Sequence, residues 1–413
     1  MASSTGIHRP GLQESALGGV ESGARAPSGL VVASSHDPRP QAAVEEVVRA
    51  IGSQKLAGGL IFCSHRYPRE ELAAELSRQL PGLALIGCTS AGELTQRGYD
   101  ADSLVFIGLP ADSFEMAVLH FDALDGFAVE PARRAVRELA AAAAAHARRL
   151  GEHLHQAAIF LVDGLSHREE LLSMTVQEAL GDTVMVGGSS GDGLLFRETG
   201  VLVEGRFVKD AAVLAIISSL RPLHVFCSHH YRAREERMVV TAADAQARIV
   251  HQINALPAAQ EYARLCGIAP AQLDLGFFAA HPPMVRAGGE YHVRAVQSVN
   301  PDGSLTFYCA IDAGIVLRVG ERVDRLAHME QLFDEVEARV GGIDHVIAFD
   351  CVLNRIDAEQ GQIAREVSQI YARRHVLGFN TYGEQYRAAH INQTLSGLAI
   401  GGAGGDALGA AAA

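Results

Sequence analysis

From residue 29 onward the chain alternates short apolar runs with stretches whose apolar residues recur every three to four positions. The runs "GLVVASS" (29–35), "GLIFCS" (59–64) and "LALIGCTS" (83–90) read as strands, and "AAVEEVVRAIGSQ" (42–54) and "PREELAAELSRQL" (68–80) between them read as amphipathic helices. "LVFIGLP" (104–110) and "FEMAVLHF" (114–121) follow as adjacent strands. Next come the Ala/Arg helix "PARRAVRELAAAAAAHARRL" (131–150), a buried strand "AAIFLVDG" (157–164) and the glycine-terminated helix "REELLSMTVQEALG" (168–181). After "TVMVGGSSGDG" (183–193) the short runs "GVLVEG", "RFVKDAAVLAIISS" and "PLHVFCSHH" replace the helices, which predicts a meander completing a first domain.

A second domain is expected from about 240. It reads as helix "ALPAAQEYARLCG" (255–267), strands "LGFFAAHP" (275–282), "EYHVRAVQSVN" (290–300), "SLTFYCAI" (304–311) and "GIVLRVG" (314–320), then helix "LAHMEQLFDEVEARVGG" (326–342). Strand "DHVIAFDCVL" (344–353), helix "AEQGQIAREVSQIYARR" (358–374) and strands "HVLGFN" (375–380) and "INQTLSGLAIGG" (391–402) close it. The predicted class is α/β to α+β, with two mixed β-sheet domains and flanking helices. A leader (1–28) rich in Gly, Ser, Ala and Pro precedes domains at 29–240 and 241–402, and a flexible tail (403–413) follows.

Composition narrows the class further. Of 413 residues, 48% are hydrophobic and 20% charged, enough for a sizeable core. The formal net charge of -13 argues against nucleic acid or an acidic membrane as the main partner, since both favour a basic face. Cys63, Cys88, Cys227, Cys266, Cys309 and Cys351 are scattered without a CxxC pair and read as reduced thiols. The leader lacks the apolar core of a signal peptide and no later run is long enough to cross a bilayer, so a cytoplasmic protein without a membrane span is expected.

Three segments share one theme: "LIGCTSAGE" (85–93), "MVGGSSGDG" (185–193) and "VLGFNTYGEQ" (376–385). Each sets an apolar strand before a glycine, hydroxyl or amide residues, a second glycine and a carboxylate. Glycine lets backbone approach a ligand, and hydroxyls and amides supply hydrogen bonds at strand ends. Thr89, Ser90, Glu93, Ser189, Ser190, Asp192, Asn380, Tyr382, Glu384, Asn392 and Gln393 are therefore candidate pocket residues. The plainer alternative is that these are strand-to-turn junctions, where the same residue types are favoured by the backbone alone. No Walker A loop occurs. "GGSSG" fits G-x-S-x-G at Ser189, but "DGLLFRETG" after it reads as turn and strand instead of the helix that a nucleophile elbow requires. A hydrolase using Ser189 is the enzymatic alternative; no catalytic residue is expected.

The histidines offer no HExxH or comparable metal motif. His229 and His230 are adjacent on a predicted strand and point to opposite faces. His390 in "AAHINQT" and His281 in "LGFFAAHPPMV" sit among apolar residues at element boundaries, where one imidazole can act as an axial ligand to haem iron. The alternative for each is a hydrogen-bonded histidine at a core boundary.

Taken together, "IGCTSAGE", "VGGSSGDG" and "GFNTYGEQYRAAHINQT" resemble FIST-domain signalling proteins, with an N-terminal half over roughly 30–235 and a C-terminal half over roughly 245–400. Through "FFAAHPPMVRAGGEYHVRAVQSVNPDGSLTFYCAIDAGIVL" and "FDCVLNR" the chain is most similar to the haem-binding, nitric-oxide-sensing branch called NosP. The resemblance implies a non-catalytic cytoplasmic sensor holding haem b, with nitric oxide as the sensed gas. It further implies a partner histidine kinase or cyclic-di-GMP enzyme, and leaves room for a homo-oligomer. The axial ligand is expected at His390, then His281, then His230. A haem-free module binding an amino-acid-like solute is the second reading.

Overall fold

Runs such as "LAGGLIFCS" and "AAVLAIISS" place apolar residues at consecutive positions, so the strands they form need cover on both faces. The computed structural model describes residues 29–287 and 289–402 and supplies that cover by repeating one unit three times; the leader 1–28 and the tail 403–413 lie outside the described residues. Unit 1 comprises β1 (Val31–Ser35), α1 (Pro40–Ile51), β2 (Leu56–Ser64), α2 (Arg69–Gln79), β3 (Leu85–Ser90), the hairpin β4 (Glu93–Thr95) and β5 (Gly98–Asp100), and β6 (Leu104–Pro110). Unit 2 repeats this as β7 (Phe114–Asp122), α3 (Val129–Ala147), β8 (His155–Val162), α4 (Glu169–Leu180), β9 (Met185–Ser189), β10 (Val201–Val203), β11 (Arg206–Val208) and β12 (Ala211–Ser219).

Unit 3 opens with β13 (Leu223–Ser228) and is then interrupted. The insertion holds β14 (Tyr231–Asp244), β15 (Ile249–Ile253), β16 (Leu256–Pro257), α5 (Ala258–Cys266), α6 (Leu275–Ala280), β17 (Pro283–Ala287), β18 (Glu290–Val293), β19 (Val296–Val299), β20 (Leu305–Phe307) and β21 (Val316–Arg322). Unit 3 resumes with α7 (Arg325–Val340), β22 (Ile343–Cys351), α8 (Val352–Gln360), α9 (Ala364–Arg373), β23 (Val376–Thr381), β24 (Glu384–Tyr386), β25 (Ala389–Ile391) and β26 (Leu395–Gly401).

Each unit builds most of one mixed sheet, in which β2 and β3, β8 and β9, and β22 and β23 run parallel. The hairpin of each unit leaves that sheet and completes a neighbour's. The orders are β1-β6-β2-β3-β10-β11, β7-β12-β8-β9-β24-β25 and β13-β26-β22-β23-β4-β5, so the exchange is cyclic. The inner faces of the three sheets enclose one core, to which Phe62, Ile86, Ile159, Val186, Phe349 and Phe379 contribute from all three units. Helices α1 and α2, α3 and α4, and α7 and α9 cover the outer faces, giving a three-sided prism.

The turns after β3, β9 and β23 meet at one end of this prism. Equivalent backbone bonds run from Ala91 N to Asn380 O (2.9 Å), from Tyr382 N to Ser189 O (3.2 Å) and from Gly191 N to Thr89 O (3.0 Å), closing a ring. Below them Gly87, Gly187 and Gly378 hold matching positions, where a Cβ would overlap the carbonyl oxygen of Ile61, Phe160 and Ala348 respectively on the adjacent strand. Strand pairing also matches Ser90, Glu93 and Ser103 of unit 1 with Thr381, Glu384 and Thr394 of unit 3. Ser90 Oγ donates to Glu93, which also accepts from Ser103 N (3.0 Å) and Oγ (2.9 Å). Thr381 Oγ1 donates to Glu384, which accepts from Thr394 N (3.2 Å) and Oγ1 (2.7 Å). Unit 2 holds Ser190, Val201 and Ala211 at these positions, and between its Gly191 and Gly200, the counterparts of Ala91 and Gly92, it carries the additional residues 192–199.

The insertion in unit 3 folds as one sheet in the order β18-β17-β21-β14-β15-β20-β19, with β16 beside β15. Its end strands β18 and β19 follow each other in the chain, separated only by Arg294 and Ala295, so the sheet curls into a barrel. Met238, Val250, Tyr262, Phe278, Phe307 and Leu317 fill its interior.

Several elements differ from the sequence reading. β6 and β7 are consecutive but belong to different sheets, and the expected meander is dispersed over all three sheets, because the hairpin exchange is a long-range feature without local signature. "LGFFAAHP" forms α6 instead of a strand: Asp274 caps it by accepting from Phe277 N at 2.7 Å. "AEQGQIAREVSQIYARR" divides into α8 and α9 around Gly361, and "EYHVRAVQSVN" breaks into β18 and β19.

Two outcomes follow for stability. Replacing Gly87 or Gly187 with Ala is expected to cost about 3 kcal/mol in chemical denaturation, because the Cβ would run into the backbone of the adjacent strand, which has little room to yield, whereas Gly126→Ala, in open space, costs far less. Burial pushes Glu93 up to about 7 and Glu384 up to about 8, against the pull of their hydroxyl and amide donors. Since both folded-state values lie above 4.5, this contribution to stability is complete below about pH 4.5 and is lost as pH rises through 7 and 8. Unfolding free energies measured from pH 5 to 9 should fall accordingly, by on the order of 3 kcal/mol per carboxylate, and the variant carrying Glu93→Gln and Glu384→Gln should lose most of that slope.

Candidate functional site

The ringed end of the prism lies under the barrel, and the turn Asn392–Thr394 passes between them. Gln393 is fully buried and holds a left-handed φ of +50°, a conformation that costs a residue of its size free energy. The barrel pins it there: Gln393 Nε2 donates to Tyr231 Oη (2.9 Å) and to Ala279 O (2.8 Å), and Tyr231 Oη itself donates to Ala279 O (2.8 Å). On the prism side, Gln385 of β24 donates to Ser189 Oγ at 2.9 Å and lies 3.2 Å from His390 Nδ1. The Nε2 edge of His390 and Asn392 Nδ2 both press on Gly383, where a Cβ would displace them.

A charged wall ties barrel to prism beside these residues. Arg248 Nη2 donates at 2.8 Å to both Glu169 and Glu170 at the start of α4, and its Nη1 donates to Tyr308 O at 2.6 Å. Ala310 N donates to Glu170 at 2.6 Å, and Arg294 Nη1 donates to His390 O at 3.2 Å. Burial holds His390 below its usual range although Glu170 and Glu169 pull it upward, so the imidazole is neutral at neutral pH.

Buried polar atoms in native proteins are nearly always paired. At this junction Asn392 Nδ2 and Oδ1, Gln393 Oε1, Gln385 Oε1 and Tyr308 Oη are buried without a protein partner. Tyr308, Tyr231, Cys351 and Tyr382 belong to one apolar cluster here, joined by Phe196, which stacks on Tyr382 (4.5 Å between centroids) and leans on Tyr308 (5.8 Å). Apolar and aromatic side chains thus stand here beside unpaired amide and hydroxyl atoms, the kinds of group that small-molecule sites combine.

The structure brings the three glycine loops together, as backbone, and engages most of their side chains internally. Thr89 Oγ1 accepts from Gly200 N (3.1 Å), Ser190 Oγ from Gly164 N (3.2 Å) and Ser189 Oγ from Gln385. Asn380 Nδ2 donates to Asp350 O (3.3 Å). Asp192 accepts from the N–H groups of Phe196, Arg197 and Glu198, each at 2.8 Å, and from Tyr382 Oη. Ser90, Glu93 and Glu384 close on their own units. Of the candidate pocket residues, Asn392 and Gln393 carry unpaired atoms. Ser189 ends β9 and is followed by a turn, and its side chain accepts from the Gln385 amide, which takes up no proton.

The three histidines do not converge. His390 is 3% exposed, and its edges are closed by Gln385 and Gly383. His230 is 4% exposed, with its ring on Tyr231 and its Nε2 3.5 Å from the Asp357 carboxylate. Neither imidazole has an uncovered side for a porphyrin, so His390 and His230 do not fit a haem as arranged. His281, half-buried after α6 with its ring 4.8 Å from Phe277, is the more open of the candidates. Among the described residues no group of three His, Cys, Asp or Glu is placed to hold a metal ion, and no helix is long and apolar enough to cross a membrane.

Sequence reading missed Gln385, Tyr308, Tyr231, Arg248 and Arg294. Gln385 stands inside the third loop motif and was within reach of it; the others come from the barrel, whose placement over the loops has no local signal.

Family models match the chain as a FIST N domain over residues 57–256 and a FIST C domain over residues 258–387. No curated protein matches. A solved cyanuric acid hydrolase aligns with 90% of this chain and 100% of its own at 11% identity, with a TM-score of 0.33 that carries no argument. The chain is a member of the FIST-domain proteins, with a FIST N domain followed by a FIST C domain.

Proposed function

We propose that this chain is a sensory signalling module that binds a small polar solute between prism and barrel and passes its occupancy to a partner protein. The observation that supports this reading is the set of unpaired atoms on Gln385, Asn392, Gln393 and Tyr308. A buried polar group without a partner costs about 1–3 kcal/mol, so a protein that keeps several together gains from a molecule that satisfies them. Three are carbonyl oxygens, one is an amide nitrogen and one a hydroxyl. The solute therefore offers N–H donors and at least one acceptor, as an amino-acid-like molecule does. No catalysis is invoked. A partner histidine kinase or cyclic-di-GMP enzyme would respond to the same occupancy.

The nitric-oxide reading with haem b has less support, because it passes from the enclosed His390 to His281. Titration with haemin separates the two: stoichiometric uptake lost in His281→Ala favours it, and absence of a Soret band removes it.

Tyr308→Phe and Asn392→Leu test the solute reading together. Each removes buried polar atoms that the ligand-free protein leaves unpaired, so each should leave the unfolding free energy of the free protein unchanged or raise it by up to about 1 kcal/mol. A thermal-shift panel of amino acids and amides should find a stabilising compound for the wild type and a weaker or absent shift in both variants. Strong destabilisation of the free protein by either change would show that these atoms are needed for folding and not for a ligand.

A further inference from the structure

Unit 2 departs from the other two in the length of the turn after β9, and that departure lies on the candidate site. Where units 1 and 3 make the tight turns Ala91–Gly92 and Tyr382–Gly383, unit 2 holds residues 192–199 between Gly191 and Gly200. The ring of backbone bonds does not need them, since Gly191 N already reaches Thr89 O and Thr89 N reaches Gly200 O at 2.9 Å. We propose that residues 194–198 of this turn form the gate of the junction site, with Phe196 as its inner leaf and Gly193 and Thr199 as its anchored ends. This rests on the reading of that junction as a ligand site, while its test requires no ligand.

The gate is built to move as one piece. Asp192 organises it from within by accepting from Phe196, Arg197 and Glu198 N–H, and is itself tied to Tyr382 Oη. Its ends are anchored, by Gly193 N on Ser90 O (3.2 Å), Thr199 Oγ1 on Asp163 and Arg69 Nη1 on Thr199 O (3.3 Å), and the span between them is fastened to the site by the Phe196 stack on Tyr382 and Tyr308 and, through Asp192, by the hydroxyl of Tyr382. Phe196 is held at φ +52°, where a bulky residue is strained, and release from the stack frees it to relax. The outer face has little burial to lose, because Leu194 and Leu195 are 48% and 53% exposed. The outer fastening is ionic, from Arg69 and Lys209 to Glu198. Segments with few buried apolar contacts open at the low end of a protein's stability scale. Swinging Phe196 outward uncovers Tyr308 Oη and the cluster that contains Cys351.

Cys351 is 1% exposed in that cluster, whereas Cys88 is fully buried between the sheets of the prism and Cys63 fully buried under α1 and α2, so the thiols report on openings in different places. The experiment follows alkylation of each cysteine by mass spectrometry in native buffer, in the wild type, Phe196→Ala and Asp192→Asn. A gate predicts that Cys351 reacts about tenfold faster in both variants while Cys63 and Cys88 keep their wild-type rates. It also predicts faster Cys351 labelling of the wild type at high salt, as the Glu198 ion pairs weaken. Equal acceleration of all three thiols would mean that the turn only supports global stability and would overturn the proposal. So would an unchanged rate at Cys351. In either case the solute reading stands or falls separately by the thermal-shift panel.

Discussion

Three backbone hydrogen bonds, from Ala91 to Asn380, from Tyr382 to Ser189 and from Gly191 to Thr89, close the chain on itself. Each joins the turn of one unit to the turn of another, and they connect residues far apart in sequence. The cyclic hairpin exchange follows from the same geometry, because a turn held against its neighbour's strand delivers the hairpin after it to that neighbour's sheet. The matching glycines let the strands approach closely enough for this, and the Ser/Thr–Glu–Ser/Thr triplets of units 1 and 3 satisfy the polar groups left at the strand ends. A ring so closed is rigid, which makes it a suitable floor for a binding site.

The proposed site lies where the threefold pattern is broken. Unit 2 lacks the buried carboxylate and carries the turn 192–199, while unit 3 receives the barrel between β13 and α7. Both additions reach the same end of the prism, and the unpaired atoms are there. The barrel supplies Tyr231 and Tyr308, unit 3 supplies Gln385, Asn392 and Gln393, and unit 2 supplies Phe196 and the Glu169–Glu170 anchor for Arg248. A site assembled from elements with separate attachments is sensitive to their relative position, which is what a signalling module needs if occupancy is to change shape.

Much of the prism was legible in the sequence. The apolar runs of β2, β3, β8, β9, β22 and β23 and the periodic helices α2, α4 and α7 stand where periodicity put them, since each is buried on the face its pattern predicts. The recurrence of the three glycine loops was visible too, but their meaning changes. Thr89, Ser90, Glu93 and Glu384 are engaged with their own backbone surroundings, which is the junction role that the same residue types also allow. The hairpin exchange, the helical state of "LGFFAAHP" and the barrel's position depend on long-range pairing or on one cap. No local pattern records them. His390 illustrates the limit: its apolar neighbours in sequence suggested an open ligand, whereas folding closes it between Gln385 and Gly383.

The central claim is that the polar atoms of Gln385, Asn392, Gln393 and Tyr308 are kept for a ligand. The most direct measurement is the electron density at this junction in a high-resolution crystal structure of the protein grown with the compound that most raises its melting temperature. The account predicts a bound molecule whose polar groups meet Asn392 and Tyr308 Oη. Density for ordered water alone at these atoms, or their closure on neighbouring protein groups with the compound bound elsewhere, would contradict it.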